Sequence, residues 1–286
     1  MNKKLLIFSI IIIALLTGCD KNKDFCIHVI DVGQADSILI TTPSNKNMLI
    51  DGGDEDSAKI IKSYLKNKKV KNLDVFMKTG SLPANPTWGK EICAEDGIID
   101  NFDVEKIYMP NQTTDSECYI NLIDSCNKKN LKVNYLSKDD SFNLDDSTNI
   151  YVLSPSYITD NNNSNSIVLN ISYKNNNFLF TGDCEESNEM DMINSYNLED
   201  IDFLKVAHHG SYTASSLAFL EETTPDIAVI SCGYKNSYGH PHKSTLDNLE
   251  SVDAKIFRTD QNGSMQFYSD GEKIYSKVKY KEYKWK

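Results

Sequence analysis

Short apolar segments rich in β-branched residues alternate along the chain with longer segments whose apolar positions recur at helical spacing. The short segments predict strands at 25–32, 36–42, 47–51, 73–77, 106–109, 132–136, 149–153, 166–173, 177–181, 202–206, 226–231, 254–258, 264–268 and 273–278. The longer ones predict helices near 56–67, 90–101, 115–128, 185–195, 214–222 and 243–251, the first with Ile60, Ile61, Tyr64 and Leu65 on one side. This order predicts an α/β fold, a layered αββα sandwich of two mixed sheets with helices outside.

The first residues form a pattern of their own. Lys3 and Lys4 precede an apolar run from Leu5 to Leu16, and small residues stand before Cys19. This order is typical of a secretory signal peptide, which we place at residues 1–18. The run is too short to cross a hydrocarbon core of ~30 Å, which takes about 20 apolar residues. An uncleaved helix is the alternative interpretation.

The end of this segment, Leu16-Thr17-Gly18-Cys19, resembles the bacterial lipobox, in which the cysteine is lipid-modified and the residues before it are cleaved off. The resemblance implies anchoring to the extracytoplasmic face of the cell membrane through lipid on Cys19, because two or three acyl chains hold a protein durably. Residues 19–24 would then be a tether and 25–286 the folded domain. An ordinary signal peptide with an unrelated cysteine is the alternative.

Charge narrows the range of partners. Removal of residues 1–18 takes away Lys3 and Lys4 and no acid, which changes the net charge from −11 to −13. A surface this acidic repels polyanions, so non-specific nucleic-acid binding is disfavoured. No linker, repeat or low-complexity tract divides the remainder, which suits one large domain.

Six cysteines follow Cys19, and their spacing matches no zinc-finger pattern. Outside the cytoplasm a disulfide is permitted, and Cys118 with Cys126 is the only pair close in sequence. We favour buried free thiols, since free cysteine is among the most buried residue types.

Several polar landmarks each have an ordinary structural explanation when they are taken alone. Asp51 before two glycines can end a strand, Asp183 can cap the helix that follows, and Gly239-His240-Pro241-His242 can form a turn. His208 alone would more often be a satisfied core or surface histidine than a ligand. Their order along the chain is what indicates function.

Five segments in the same order resemble the metallo-β-lactamase-like domain of the competence protein ComEC family. They are Phe25–Ile40, Leu49–Gly53, Phe178–Asp183, Leu204–Ser211, and Ser231–Gly233 with Tyr238–His242. The resemblance runs from about Phe25 to Tyr268 and implies the metallo-β-lactamase-type αββα sandwich.

The resemblance also implies a chemistry. In that family histidines and carboxylates hold one or two divalent ions, Zn or Mn, whose bound water attacks an ester or phosphodiester. Asp183 matches the bridging carboxylate and His208 the late histidine ligand. His240 and His242 match a motif for substrate contact or leaving-group stabilisation, and Ser211 with the amides beside Gly210 would meet a phosphate oxygen.

One loop departs from the family. After Leu73–Met77 the family carries His-x-His-x-Asp-His, whereas this chain continues Lys78-Thr79-Gly80-Ser81-Leu82-Pro83-Ala84-Asn85. In register with Thr79, the ligand positions fall on Gly80, Leu82, Ala84 and Asn85, which offer no good zinc ligand. Glu91, Glu95 and Asp96 offer oxygen ligands for Mn²⁺ or Mg²⁺, although their pattern is more typical of a solvated helix face.

These features predict an extracytoplasmic lipoprotein with a ComEC-like fold, a degenerate metal site and hydrolase activity that is lost or weak. A working metal-dependent hydrolase, with ligands on Asp183, His208 and carboxylates of the altered loop, is the second hypothesis. A third makes the chain an accessory partner of a DNA-uptake channel, by analogy with family members.

Overall fold

A computed structural model describes residues 24–54, 57–80 and 95–280, with the backbone alone at 95 and 96. Several predictions fall outside the described residues: the signal peptide at 1–18, the lipid site Cys19, the ligand positions Leu82, Ala84 and Asn85, the carboxylate Glu91, and the side chains of Glu95 and Asp96. Within the described ranges, no helix is long and apolar enough to cross a membrane.

The strands follow the predicted order closely. They are β1 (Phe25–Val29), β2 (Ile38–Thr41), β3 (Asn47–Ile50), β4 (Asn72–Met77), β5 (Asp103–Pro110), β6 (Val133–Leu136), β7 (Ser141–Asp145), β8 (Thr148–Ser154), β9 (Val168–Tyr173), β10 (Asn176–Phe180), β11 (Phe203–Lys205), β12 (Ile227–Ile230), β13 (Lys255–Arg258), β14 (Met265–Ser269) and β15 (Ile274–Ser276).

The helices are α1 (Ser57–Asn67), α2 (Glu95–Asn101), α3 (Glu117–Lys128), α4 (Glu186–Ser195), α5 (Leu217–Thr223), α6 (Lys243–Ser251) and α7 (Thr259–Asn262), with 3₁₀ turns at Asn163–Asn165 and Ala207–Gly210. Serine caps begin two of them. The hydroxyl oxygens of Ser116 and Ser216 accept from the backbone N–H three residues on, which satisfies a donor that the first helical turn leaves unpaired.

Two sheets lie face to face. Their strand orders over the described residues are β15-β14-β1-β2-β3-β4-β5-β6 and β13-β12-β11-β10-β9-β8-β7. One apolar cluster joins residues of both sheets, including Phe25 and Ile27 of β1 and Phe178 of β10. A second cluster joins the first sheet to α1, α2 and α3, and a third joins the other sheet to α4, α5 and α6. The predicted αββα sandwich is therefore confirmed.

Three details differ from the sequence predictions. Ile61 and Leu65 of α1 are fully buried, but Ile60 is 47% exposed, because the buried stripe of this helix is narrower than the apolar pattern. Strand β7 was not predicted; it is a short edge strand with mostly exposed polar residues. The expectation of buried free thiols holds at Cys26, Cys126, Cys184 and Cys232 but is wrong at Cys118, which is disulfide-bonded to a partner other than Cys126.

One buried histidine lies away from the polar end of the fold. His28 of β1 is 5% exposed, and its Nδ1 lies 2.9 Å from Nε2 of Gln266 and 3.2 Å from the hydroxyl of Tyr64. Burial, with a smaller effect of Lys68, lowers the pKa of His28 to about 3. Between pH 6.5 and about 3, His28 therefore binds a proton in the unfolded chain but not in the folded one.

This difference predicts acid sensitivity. Stability from neutral His28 is fully present above the unfolded pKa near 6.5 and is lost as the pH falls toward about 3. The free energy of unfolding is measured in urea at pH 7.5 and at pH 4.5. Between these conditions it should fall by about 2–3 kcal/mol less in His28→Gln than in wild type. Equal losses in both proteins would contradict this assignment.

Candidate functional site

Parallel strands in both sheets end where the polar motifs lie. β3 pairs with β4 in parallel, and β10, β11 and β12 form a parallel run in the other sheet. The carboxyl ends of neighbouring parallel strands meet at one edge, so side chains on the following loops can converge. Asp51 follows β3, Lys78 follows β4, Asp183 follows β10, His208 and His209 follow β11, and Ser231 follows β12.

Asp51 is held by the two residues that follow β4. Its Oδ1 accepts from the Thr79 N–H at 2.8 Å and lies 3.3 Å from Nζ of Lys78, and its Oδ2 accepts from the Thr79 hydroxyl at 2.5 Å. Asp51 and Lys78 are each 6% exposed. Donors of the protein thus engage both oxygens of this buried carboxylate.

A second buried lysine holds Asp36. Nζ of Lys205 lies 2.6 Å from Oδ2 of Asp36 and also donates to the carbonyl of Val206 at 3.0 Å. Lys205 is only 1% exposed. Among the described residues, Oδ1 of Asp36 has no hydrogen-bond partner, and Nδ1 of His209 lies 3.9 Å from it.

His208 and His209 share a strained turn. Both have left-handed backbone conformations, with φ of 47° and 56°, which non-glycine residues rarely adopt outside constrained sites. Nδ1 of His209 donates to the carbonyl of Ser231 at 3.0 Å, and Nε2 lies 3.6 Å from Oδ1 of Asp183. Nδ1 of His208 lies 3.2 Å from the hydroxyl of Thr213. The turn thereby aims His209 at Asp183.

The charges around Asp183 keep it ionised. Burial raises the pKa of this carboxyl, but its charged neighbours outweigh burial and hold the pKa below its usual value; they are His209, His208, Lys205 and Lys78. Burial is also the main cause that lowers the pKa of His208, against the attraction of Asp183. Near neutral pH the site therefore presents an anionic Asp183 beside a neutral His208.

Gln34 fixes the ring of His240. Its amide oxygen accepts from the Gly233 N–H at 2.9 Å, so its amide nitrogen donates to Nδ1 of His240 at 3.2 Å. The proton of the neutral ring then lies on Nε2. Burial, reinforced by His209 and His208, lowers the pKa of His240 to about 4. His240 is thus a neutral Nε2–H donor.

His242 has the same arrangement. Its Nδ1 accepts from the Tyr212 N–H at 3.1 Å, which leaves the ring proton on Nε2. The ring centroids of His240 and His242 lie 4.8 Å apart. Two neighbouring Nε2–H donors suit contact with an acceptor oxygen, and in these tautomers neither ring has a free lone pair for a metal. The substrate role of His240 and His242 stays a prediction.

Gly210 and Ser211 are predicted to meet a phosphate oxygen, but both residues are buried. A Cβ on Gly210 would stand 2.5 Å from Cβ of Pro241, so only glycine fits there. Ser211 is 3% exposed, and its hydroxyl oxygen accepts from both the N–H and the hydroxyl of Thr213. The phosphate contact of Gly210 and Ser211 stays a prediction.

Within the described residues, one group has the spacing of a metal site. Ligand atoms of Asp36, Asp183 and His209 all lie within 4.8 Å of one another. The group contains His209 where the sequence favoured His208. The ammonium of Lys205, 2.6 Å from Oδ2 of Asp36, weakens such a site by repelling a second cation, while the unpartnered Oδ1 of Asp36 leaves one oxygen available to an ion.

The described residues at the other candidate metal position fit a divalent ion poorly. Asp51 already has a cationic partner in Lys78 and two donors in Thr79. A Cβ built on Gly80, which matches the first family histidine, would lie 3.6 Å from Nζ of Lys78. The ammonium therefore stands beside the place where a ligand side chain would begin.

Sequence reasoning missed part of this site. The family-like motifs contain Asp36 and Lys205, but the sequence pattern indicates no role for either, and Lys78 is visible there only as the first residue of the altered loop. The available signal was two lysines that directly follow buried apolar strand residues, a position where an unpaired charge is costly. Their partners, far away in sequence, carried no such signal.

Comparison with known proteins agrees with this architecture. Residues 138–234 match the model of the metallo-beta-lactamase superfamily. The fold is that of the metallo-β-lactamases. The metallo-β-lactamase fold protein YhfI from Bacillus subtilis superposes with a TM-score of 0.53 at 12% identity, over 82% of this chain and 96% of that one. Zn²⁺-bound PqqB from Methylobacterium extorquens superposes with a TM-score of 0.51 at 8% identity, over 82% and 87%.

Curated relatives include competence proteins. ComE operon protein 3 of Bacillus subtilis is 26% identical over 84% of this chain and 32% of its own length. Competence protein ComA of Neisseria gonorrhoeae is 36% identical over 37% of this chain and 15% of its own. The chain thus spans about a third, or less, of the length of these relatives.

The hydrogen bonds predict specific ring tautomers. In ¹⁵N-resolved imidazole spectra at pH 7, His240 and His242 should carry the proton on Nε2, and His209 should carry it on Nδ1. Gln34→Leu removes the donor to Nδ1 of His240, so the His240 ring should become a mixture of both tautomers. His242 should be unchanged and is the internal control. Nδ1–H rings at His240 and His242 in wild type would contradict this assignment.

Proposed function

We propose that this chain is an extracytoplasmic lipoprotein with a ComEC-like metallo-β-lactamase domain whose hydrolytic metal site is degenerate. In this proposal the domain binds a ligand or partner, and its hydrolase activity is lost or weak. The observation that carries the proposal is the engagement of Asp51 by Lys78 and Thr79, which follow the strand where the family places its metal-binding loop.

Charge supports this proposal. Three carboxylates lie at this end of the fold, those of Asp36, Asp51 and Asp183, and buried lysines already neutralise two of them. A divalent ion gains affinity from carboxylates that lack other counter-charges, and a nearby ammonium lowers that affinity by Coulomb repulsion. The site would therefore bind metal weakly, and weak binding leaves little metal-activated water at neutral pH.

The anchoring part of the proposal depends on the sequence. The basic start, the short apolar run and the small residues before Cys19 support export and lipid attachment at that cysteine. Palmitate labelling of the full chain should mark the wild type and fail to mark Cys19→Ala.

A second candidate function is a metal-dependent hydrolase of phosphodiesters or related esters. The spacing of Asp36, Asp183 and His209 favours it, since three ligand atoms and an open position make a catalytic zinc site. The likeness to Competence protein ComA supports a third candidate, an accessory role beside a DNA-uptake channel.

Metal content separates the first two candidates. The mature protein, purified without chelator, should contain substoichiometric Zn and Mn by mass spectrometry, because ammonium groups hold Asp36 and Asp51. With added Mn²⁺ it should cleave a generic phosphodiester no faster than Asp183→Ala does. Asp247→Ala, which removes a half-exposed acid of α6, is the matched control.

Stoichiometric metal would overturn the degenerate-site proposal, and we would then look for cleavage that Asp183→Ala abolishes. That result would establish the hydrolase instead.

A further inference from the structure

The altered loop contains a lysine whose placement differs from an ordinary surface position. Lys78 directly follows β4, is 6% exposed, and points its ammonium to within 3.3 Å of Oδ1 of Asp51. A lysine is almost never this buried unless it is paired, because desolvation of its charge is costly. The burial of Lys78 therefore depends on its ion pair with Asp51.

Gly80 lies beside this ammonium. An added Cβ at position 80 would be in ordinary van der Waals contact with Nζ of Lys78, at 3.6 Å. In register with the family motif, position 80 is that of the first metal-binding histidine. The chain thus replaces a ligand by glycine and places a cation beside the vacated position.

The second buried lysine provides a useful contrast. Lys205 and Asp36 both lie in segments that match the family motifs, so their pair belongs to the part of the chain that resembles the family. Lys78 lies in the segment that departs from it. A new cation and the loss of ligands therefore occur together, in one short loop.

We infer that the ammonium of Lys78 is the resident cation at this end of the fold, taking the place of a first-site divalent ion against the carboxylate of Asp51. The inference rests on the proposed degenerate site, and it adds the group that compensates the negative charge of that site, the ammonium of Lys78. It implies that the polar end of the domain is held together without any metal from the envelope. A merely structural ion pair would stabilise the fold equally but would not exclude a metal.

The experiment removes this charge and titrates metal. Lys78→Met keeps the apolar stem, and the control Lys243→Met removes an exposed lysine that pairs with Asp247. Without metal, Lys78→Met should unfold roughly 10 °C below wild type, because it leaves a buried carboxylate unpaired, whereas Lys243→Met should stay within about 2 °C. Lys78→Met/Asp51→Asn should recover part of the loss.

Metal binding provides the discriminating readout. Because the repelling ammonium is gone, Mn²⁺ should bind Lys78→Met at least about tenfold more tightly than it binds wild type or Lys243→Met, and should raise its unfolding temperature. No gain in Mn²⁺ affinity would overturn the inference and leave a structural ion pair. If Lys78→Met does not fold, Lys78→Arg, which keeps the positive charge, is the deciding variant. A folded and metal-free Lys78→Arg supports the role of the charge. Loss of folding in Lys78→Met and in Lys78→Arg overturns that role.

This outcome is separable from that of the proposed function. Stoichiometric metal in the wild-type protein defeats the degenerate site itself. A metal-free wild type with no gain in Lys78→Met defeats only the role of Lys78.

Discussion

The arrangement of the pocket depends on one buried interaction, the ion pair between Lys78 and Asp51 with Thr79 as its second donor. A carboxylate with so little exposure must be paired and hydrogen-bonded, or its desolvation would destabilise the fold. Thr79 extends this contact to the other sheet, since its carbonyl accepts from the Ile167 N–H at 2.9 Å. A Cβ on Gly182 would stand 3.0 Å from the Thr79 hydroxyl, so both sheets meet at this clamp.

Under the proposed function, this contact accounts for how the metallo-β-lactamase fold keeps its shape where the chain departs from the family's metal-binding loop. In a metal centre the cation neutralises the converging carboxylates and fixes the loops that carry them. Here Lys78 and Lys205 supply positive charge from within the chain, and the hydrogen bonds of Gln34 and Tyr212 orient His240 and His242. Groups of the protein itself therefore organise this end of the described fold, which is the arrangement that the proposed degenerate metal site requires.

Much of the fold could be predicted from the sequence, because apolar strands covered on both faces and ordered motifs carry a strong signal. Strand β7 could not be predicted, since an exposed edge strand with polar residues has the sequence pattern of a loop. The convergence of Asp183 with a histidine pair was also predictable from motif order. The roles of Asp36, Lys78 and Lys205 were not, because a lysine looks like a surface residue until its partner, 27 residues away or much further, is placed beside it.

The central claim is that an ammonium group, and not a metal, neutralises the carboxylates of this pocket. Anomalous diffraction at the manganese and zinc absorption edges, from crystals soaked in each ion, tests it most directly. The account predicts no anomalous peak near Asp51 or Asp183, and Nζ of Lys78 within hydrogen-bonding distance of Asp51. A strong peak ligated by Asp183 and His209, with Lys78 turned away from Asp51, would contradict it.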